Sequence, residues 1–462
     1  MICIVVWVLN MENQREHFAS RIGFILMTAG CAIGLGNVWR FPFITGKYGG
    51  GLFVLLYLVC LVLFGLPVLL MELSLGRAAQ STYPGAFRKL ANKESRFKWH
   101  IPAYVLFSGN LILLMFYTVI TGWLLNYTTA FVSMSNAVWE EGFFFGMMAS
   151  PGRQTVYMLI SLLMTLFICL GGVQKTIEKS VKVMMGGLLL LLLVLIGKAF
   201  TLDGAMKGVS FFLTPKTHSE YGYFEILHAA MSQAFFTLSL GIGSVAICGS
   251  YINKEHSLFK EGLWIVLLDT FVAVASGLII FPSCISFGVE PGAGPSLIFQ
   301  TLPRVFHSMP LGFLWGGLFF VFLVVAALST LIAVFENLVA FGMDEWAWSR
   351  KKSCWIFGII LALLSLPCIF GFNIWSSFQP LGEKSTILDL EDFIVSANLL
   401  PLGAAYMTFF CISKSGCGKE NFFAEVNCGK GMKLPYRMYN YIKFVIVPVI
   451  LLLWVIGIWN VF

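Results

Sequence analysis

Between Gly30 and Pro42 an otherwise apolar stretch carries Gly30, Gly34 and Gly36, the amide Asn37 and the cation Arg40. A helix that crosses hydrocarbon without interruption has none of these. Glycine and proline loosen a helix, and the backbone N–H and C=O groups they free need partners that lipid cannot supply. A buried ion or a polar substrate is such a partner. A second glycine-broken stretch, Phe236 to Gly243, lies about five apolar segments further along. Paired interruptions at corresponding places in two halves are the sequence sign of a binding site at the bilayer midplane. A small-residue packing face would account for Gly30 and Gly34, but for neither Asn37 nor Arg40.

Asp269 also demands chemistry. It sits in Leu267-Leu268-Asp269-Thr270-Phe271 with no lysine or arginine beside it, and a charge inside a membrane helix requires a partner. Glu72 and Glu336 are further intramembrane carboxylates. Glu72 is expected to hydrogen-bond N–H groups freed at the breaks, and Glu336 to be protonated and structural.

The elements that position these groups follow from composition. The chain of 462 residues is 58% hydrophobic and 11% charged, a balance foreign to a water-soluble domain of this size. Apolar stretches of about 20 residues, enough to span a bilayer, centre near Ala29, Phe64, Leu114, Leu162, Leu192, Thr237, Val274, Val324, Ile360, Gly403 and Val449. Eleven transmembrane helices are therefore expected. Cations gather in alternate connections, as at Arg77, Arg88 and Lys89, then Lys175 and Lys179, then Lys254 and Lys260, then Arg350 to Lys352, then Lys414 to Lys433. Glu140 and Glu141 follow the third helix instead. The positive-inside rule then puts the amino terminus in the cytoplasm and the carboxyl terminus outside. The net charge of +7 follows from the same bias and gives no support to nucleic-acid binding.

The apolar opening, residues 1–10, lacks the basic start and cleavage site of a signal peptide, and Met11 is the expected start. Eleven cysteines follow no metal or disulfide spacing. Gly34-Leu35-Gly36 follows no strand and lacks the third glycine of a nucleotide loop. An enzyme is disfavoured.

Arg15-Glu16-His17-Phe18, the Gly30 to Pro42 run, Lys47-Tyr48-Gly49-Gly50-Gly51 and Glu72-Leu73-Ser74-Leu75-Gly76-Arg77 together resemble the neurotransmitter:sodium symporter family. The likeness continues through Phe236 to Gly243, Ala326-Ala327-Leu328-Ser329-Thr330 and Tyr436. It implies an all-α polytopic membrane protein with an inverted five-plus-five helix repeat, helices 1 and 6 unwound, and an eleventh helix. It resembles the bacterial eleven-helix subgroup that takes up hydrophobic and aromatic amino acids. The implied division is a cytoplasmic segment 1–17, a first repeat 18–200, an extracellular loop 201–225, a second repeat 226–414, a cytoplasmic loop 415–434 and the last helix 435–462.

The resemblance also implies two sodium sites, and sodium as a hard cation suits oxygen ligands. The first would use Ala32, Asn37, Thr237 and Asp269 with the substrate carboxylate; the second, Gly30, Ile33, Ala326, Ser329 and Thr330. Most family members have asparagine where Asp269 stands, and the chloride-dependent ones borrow a negative charge from a bound anion. Tyr57 and Gln233 match remnants of that anion site, so the Asp269 carboxylate is expected to replace chloride. Once sodium leaves, it would take up a proton, which suggests proton countertransport.

Gly34 stands where monoamine-transporting relatives carry an aspartate, so an α-amino acid with its own carboxylate is the implied substrate. Backbone N–H groups at Leu35 and Gly36 and the Tyr117 hydroxyl would receive that carboxylate. Carbonyls near Phe236 and Ser239 would meet the ammonium, and Leu113, Tyr117, Phe236, Ile242, Thr330 and Val334 the side chain. Arg40 and Asp392 match the outer gate pair, Arg15 and Asp344 the inner one with Phe18 and Tyr251 beside it. The stretch from Glu290 to Met309 resembles an outer lid. The implied activity is sodium-coupled symport; a non-transporting amino-acid sensor of the same fold is the alternative, and whether the protein is a monomer or a homodimer is open.

Overall fold

The computed structural model describes residues 18–140, 142–215, 221–288, 297–383 and 385–459. Met11, Arg15 and the first part of the Glu290 to Met309 stretch lie outside the described residues. The first apolar stretch is not one rod, for α1 (Arg21–Ala32) and α2 (Gly36–Lys47) meet at a bend of 51°. Four long helices follow: α3 (Gly51–Ala79), α4 (His100–Val132), α5 (Pro151–Leu170) and α6 (Val173–Phe200). Then come α7 (Tyr223–Thr237) and α8 (Ser244–Ser250), separated by turns. The chain continues through α9 (Leu258–Ser286), α10 (Gly312–Trp346), α11 (Arg350–Phe370), α12 (Ile387–Ile412) and α13 (Met438–Trp459).

Nine of these helices are long and apolar enough to span a membrane, and the bent pair makes ten. The remaining expected centre, near Thr237, falls where α7 stops. α7 and α8 have 15 and 7 residues and are each too short to span alone. Among the described residues there is no strand, only an isolated bridge between His256 and Lys430.

Burial separates the centre of the bundle from its lipid-facing rim. The most apolar window is 83% buried in α10 and 67% in α4, but only 28% in α6 and α13. α4 and α10 pack against each other, and α10 packs against both α1 and α8 of the broken elements.

Two local rules explain how the backbone bends. Proline lacks an N–H and its ring collides with the carbonyl four residues back, and widening one turn to a π turn relieves both problems. The π turns Gly36–Arg40, Leu61–Gly65, Leu297–Thr301, Phe393–Leu399 and Ile442–Ile446 each end two residues before a proline, namely Pro42, Pro67, Pro303, Pro401 and Pro448. The second rule concerns the α7/α8 break, where Gly241 and Gly243 take φ of 94° and 85°, a region that side chains disfavour. Contact adds to the demand: a Cβ at Gly241 would stand 2.3 Å from the Leu400 carbonyl oxygen, and one at Gly403 2.0 Å from the Gly241 oxygen. α12 therefore rests directly on the broken backbone.

Candidate functional site

Asn37 at the first break and Thr237 at the second converge on Asp269 of α9. The Asn37 amide donates to Asp269 Oδ1 at 2.8 Å and to its backbone carbonyl at 3.1 Å. The Thr237 hydroxyl lies 3.0 and 3.2 Å from the two carboxylate oxygens, and the Tyr57 hydroxyl 3.3 Å from Oδ2. All four side chains are buried. Asn37 Oδ1 accepts from the Gly34 N–H at 3.1 Å, which fixes the amide across the break. Gln233 donates to the Gly36 carbonyl at 2.8 Å, while its Oε1 is buried without a partner.

A second group of oxygens forms between α1 and α10. Ser329 Oγ lies 2.8 Å from the Ala326 carbonyl and 3.3 Å from that of Ile33. Thr330 Oγ1 lies 3.2 Å from the Gly30 carbonyl and 3.4 Å from that of Ile33. The Gly30 and Ile33 carbonyls are available because α1 ends at Ala32 and Ile33 is extended, with φ −73° and ψ 98°. Five uncharged oxygens with no soft ligand among them fit a hard monovalent cation. Asp269 with Thr237 and the Asn37 amide oxygen nearby offers the same cation a charged alternative. Ala32 lines the cleft beside this group.

That cleft is walled by Ala32, Gly34, Gly36, Leu113, Tyr117, Phe236, Ser239, Thr330 and Leu400. Leu35 donates its N–H to the Tyr117 hydroxyl at 2.8 Å. A Cβ at Gly34 would stand 2.3 Å from that hydroxyl and 2.4 Å from Thr330 Oγ1, so the glycine keeps this corner open. Ser239, at φ 52°, bonds the Cys31 carbonyl at 3.2 Å and ties the two breaks together. Two expected wall residues are not among those lining the cleft in this conformation. Ile242 and Val334 are buried in the surrounding core, Ile242 packing toward Gly109, and Leu400 takes a place in the wall that was not expected.

The two ends of the bundle differ. At one, the Arg40 guanidinium lies over the Phe236 ring at 4.3 Å, and its Nη1 is buried without a hydrogen bond. Asp392 instead accepts from Ser396 at 2.5 Å, so Arg40 and Asp392 are not ion-paired in this conformation. At the other end Phe18 donates its N–H to the Tyr251 carbonyl at 3.1 Å, and the rings meet edge-on at 5.9 Å. Asp344 accepts from the Thr82 N–H at 2.8 Å and from Ser81 at 3.3 Å; Arg15 lies outside the described residues.

The strongest ties at that end involve groups to which the sequence reading gave no such role. Glu336 is not a solitary acid: Arg350 binds both its oxygens, at 2.6 and 2.8 Å, and Tyr251 donates to it at 2.8 Å. A buried, doubly bonded carboxylate beside a guanidinium is an ion pair, which corrects the expectation of a protonated Glu336. Glu178 accepts from the Ala19 N–H, Ser20 and Lys182 at 2.8, 3.0 and 2.6 Å. Arg21 pairs with Glu261 at 2.9 Å. The start of α1 is thereby latched to α6 and α9.

Around the second break, Glu72 accepts from the Gly241 and Val245 N–H groups at 2.9 and 3.1 Å, as expected of it. Asn110 and Asn337 complete the accounting by donating to the Ile242 and Gly243 carbonyls at 2.6 and 3.1 Å. Both amides stand in apolar runs, and that polarity was the signal to have followed.

Apolar spans enclosing two broken helices, with oxygen clusters at both breaks, define a membrane transporter of the secondary type. The model of the sodium:neurotransmitter symporter family matches residues 15–144 and 143–461, and the chain belongs to that family. An uncharacterized sodium-dependent transporter of Bacillus subtilis is 34% identical over 443 residues, covering 94% of this chain and 96% of the relative. One from Haemophilus influenzae is 31% identical over 461 residues, covering 96% and 98%. The crystal structure of MhsT in complex with L-phenylalanine has a TM-score of 0.86 at 34% identity, covering 96% of this chain and 100% of that one. The chain is thus a sodium-dependent symporter of this family, with its fold.

Proposed function

We propose that the protein imports a hydrophobic or aromatic α-amino acid with sodium by alternating access, and that chloride is not required because Asp269 supplies the fixed negative charge. The observation that carries this reading is the burial of the Asp269 carboxylate among Asn37, Thr237 and Tyr57. A cation bound by Ala32, Asn37, Thr237 and Asp269 would be neutralised there, and it would present one open face to a substrate carboxylate. A second sodium would sit among Gly30, Ile33, Ala326, Ser329 and Thr330. Each ligand completes the other's site, so the two bind with reciprocal coupling.

The substrate class rests on Gly34 and the apolar wall. With no side chain at Gly34, the carboxylate reaches the Leu35 and Gly36 N–H groups and the Tyr117 hydroxyl. Leu113, Phe236 and Leu400 then meet an apolar side chain. The likeness to MhsT, whose complex holds L-phenylalanine, points the same way. Arg40 with Asp392 would close the outer vestibule once substrate draws Phe236 over the site, and the Asp344 and Tyr251 region would open the inner one. This orientation puts the amino terminus in the cytoplasm, with the protein in the plasma membrane.

Uptake of labelled phenylalanine, tryptophan, tyrosine and leucine into proteoliposomes, with chloride replaced by gluconate, tests the reading. Undiminished uptake supports it. Collapse in gluconate removes the role given to Asp269, and a preference for small polar or carboxylate-free amines removes the substrate class.

A further inference from the structure

At the latched end an open groove runs between α1 and α9, lined by Arg21, Ile22, Ile25, Leu26, Lys260, Trp264 and Leu268. Its body is apolar and faces outward: Ile22 is 66% exposed and Trp264 48%. Along α9, Lys260, Trp264, Leu267 and Phe271 fall on one helical face at spacings of four, three and four residues, and all four are exposed. A lysine one turn from a tryptophan, followed by bare apolar residues, is the pattern of a helix passing from the headgroup layer into hydrocarbon.

The mouth of the groove carries excess positive charge. Arg21 engages Glu261 through Nε alone, at 2.9 and 3.1 Å, which leaves both its terminal nitrogens without a partner among the described residues. The Lys260 ammonium likewise makes no ion pair there. Glu261, the carboxylate that meets Arg21 among the described residues, is buried and already taken by it.

We propose that this groove is a binding site for an anionic phospholipid. The phosphate would lie between the Arg21 terminal nitrogens and the Lys260 ammonium, and an acyl chain would lie along Ile22, Ile25, Trp264 and Leu268. A zwitterionic lipid fills the same apolar channel but brings a choline cation to a mouth that is already positive. The bound lipid bridges α1 and α9. It therefore reinforces the Arg21 and Glu261 latch at the half-helix that the break at Ile33 frees to move.

Trp264 reports directly on the site. The protein is reconstituted in phosphatidylcholine vesicles containing a minor fraction of either acyl-brominated phosphatidylglycerol or acyl-brominated phosphatidylcholine. The emission lost between the native protein and Trp264→Phe isolates the groove signal. An unpaired cation at the membrane surface favours an anionic lipid by about fivefold, so Trp264 is expected to be quenched by brominated phosphatidylglycerol at about one-fifth the fraction needed of brominated phosphatidylcholine. Lys260→Glu is expected to erase that preference, while Lys351→Glu, at an exposed lysine away from the groove, keeps it. Equal quenching by the two lipids overturns the proposal, and so does a preference that survives Lys260→Glu or disappears equally in Lys351→Glu.

Discussion

The Asn37 amide donates to the Asp269 carboxylate at 2.8 Å across two elements that are 232 residues apart in the chain. This one contact joins the break between α1 and α2 to the middle of α9. A full charge held by neutral donors in a low-dielectric interior is stable only with a compensating cation or a proton. The relationship therefore carries the coupling argument.

Replacing Asp269 with asparagine removes the fixed charge and keeps the shape. Uptake by Asp269→Asn without chloride should fall at least about tenfold, the equivalent of about 1.4 kcal/mol, and chloride should restore part of it. Initial-rate uptake with chloride and gluconate arms measures this.

The same carboxylate predicts a return step in which a proton takes the place of sodium. Vesicles loaded with a pH-sensitive dye should show sodium-driven uptake accompanied by proton efflux, and Asp269→Asn should abolish that signal. Dye traces that stay flat during native uptake would make Asp269 a permanently compensated structural ion.

Tyr117→Phe deletes the hydroxyl that meets the Leu35 N–H at 2.8 Å. A hydrogen bond to a charged group is worth about 1.5–3 kcal/mol, so KM for the amino acid should rise by roughly ten- to a hundredfold. Gly34→Ala puts a methyl group 2.3 Å from the same hydroxyl. It should lose uptake while the protein still inserts and extracts as a monodisperse species.

The Arg350 and Glu336 pair makes a stability prediction. Arg350→Ala leaves Glu336, 1% exposed, without its cation, at a cost of about 3–5 kcal/mol. The unfolding temperature in detergent should drop by several degrees, and adding Glu336→Gln should recover most of the loss. If both variants melt alike, the pair is not the source.

Much of this site was legible because its residues are the wrong type for their surroundings. Glycines, an amide and a carboxylate in hydrocarbon-length runs marked both breaks and Asp269. Glu72 was legible for the same reason. The Glu336 partner was not, since Arg350 reads as one more cation of a basic connection; only the turn after Trp346 carries it back over Glu336. The same limit hid Asn110 and Asn337, whose partners are backbone carbonyls exposed by a distant break. Leu400 enters the wall because α12 lies against Gly241, a backbone contact that no side-chain pattern announces. Ile242 lies between Gly241 at φ 94° and Gly243 at φ 85° and packs toward Gly109 of α4, a placement set by the turned backbone and not by side-chain pattern. The π turns are legible only in part: five end two residues before a proline, but the one at Val173–Ile177 precedes none, and Pro282 sits inside α9 without one.

Whether the two broken helices couple sodium to an amino acid is tested most directly by gradient-driven uptake. Purified protein in proteoliposomes is given labelled phenylalanine or leucine under an inward sodium gradient, and again with potassium in place of sodium. Accumulation above equilibrium with sodium, and none with potassium, is the result predicted here. Saturable sodium-dependent binding without accumulation, or accumulation indifferent to sodium, would contradict it.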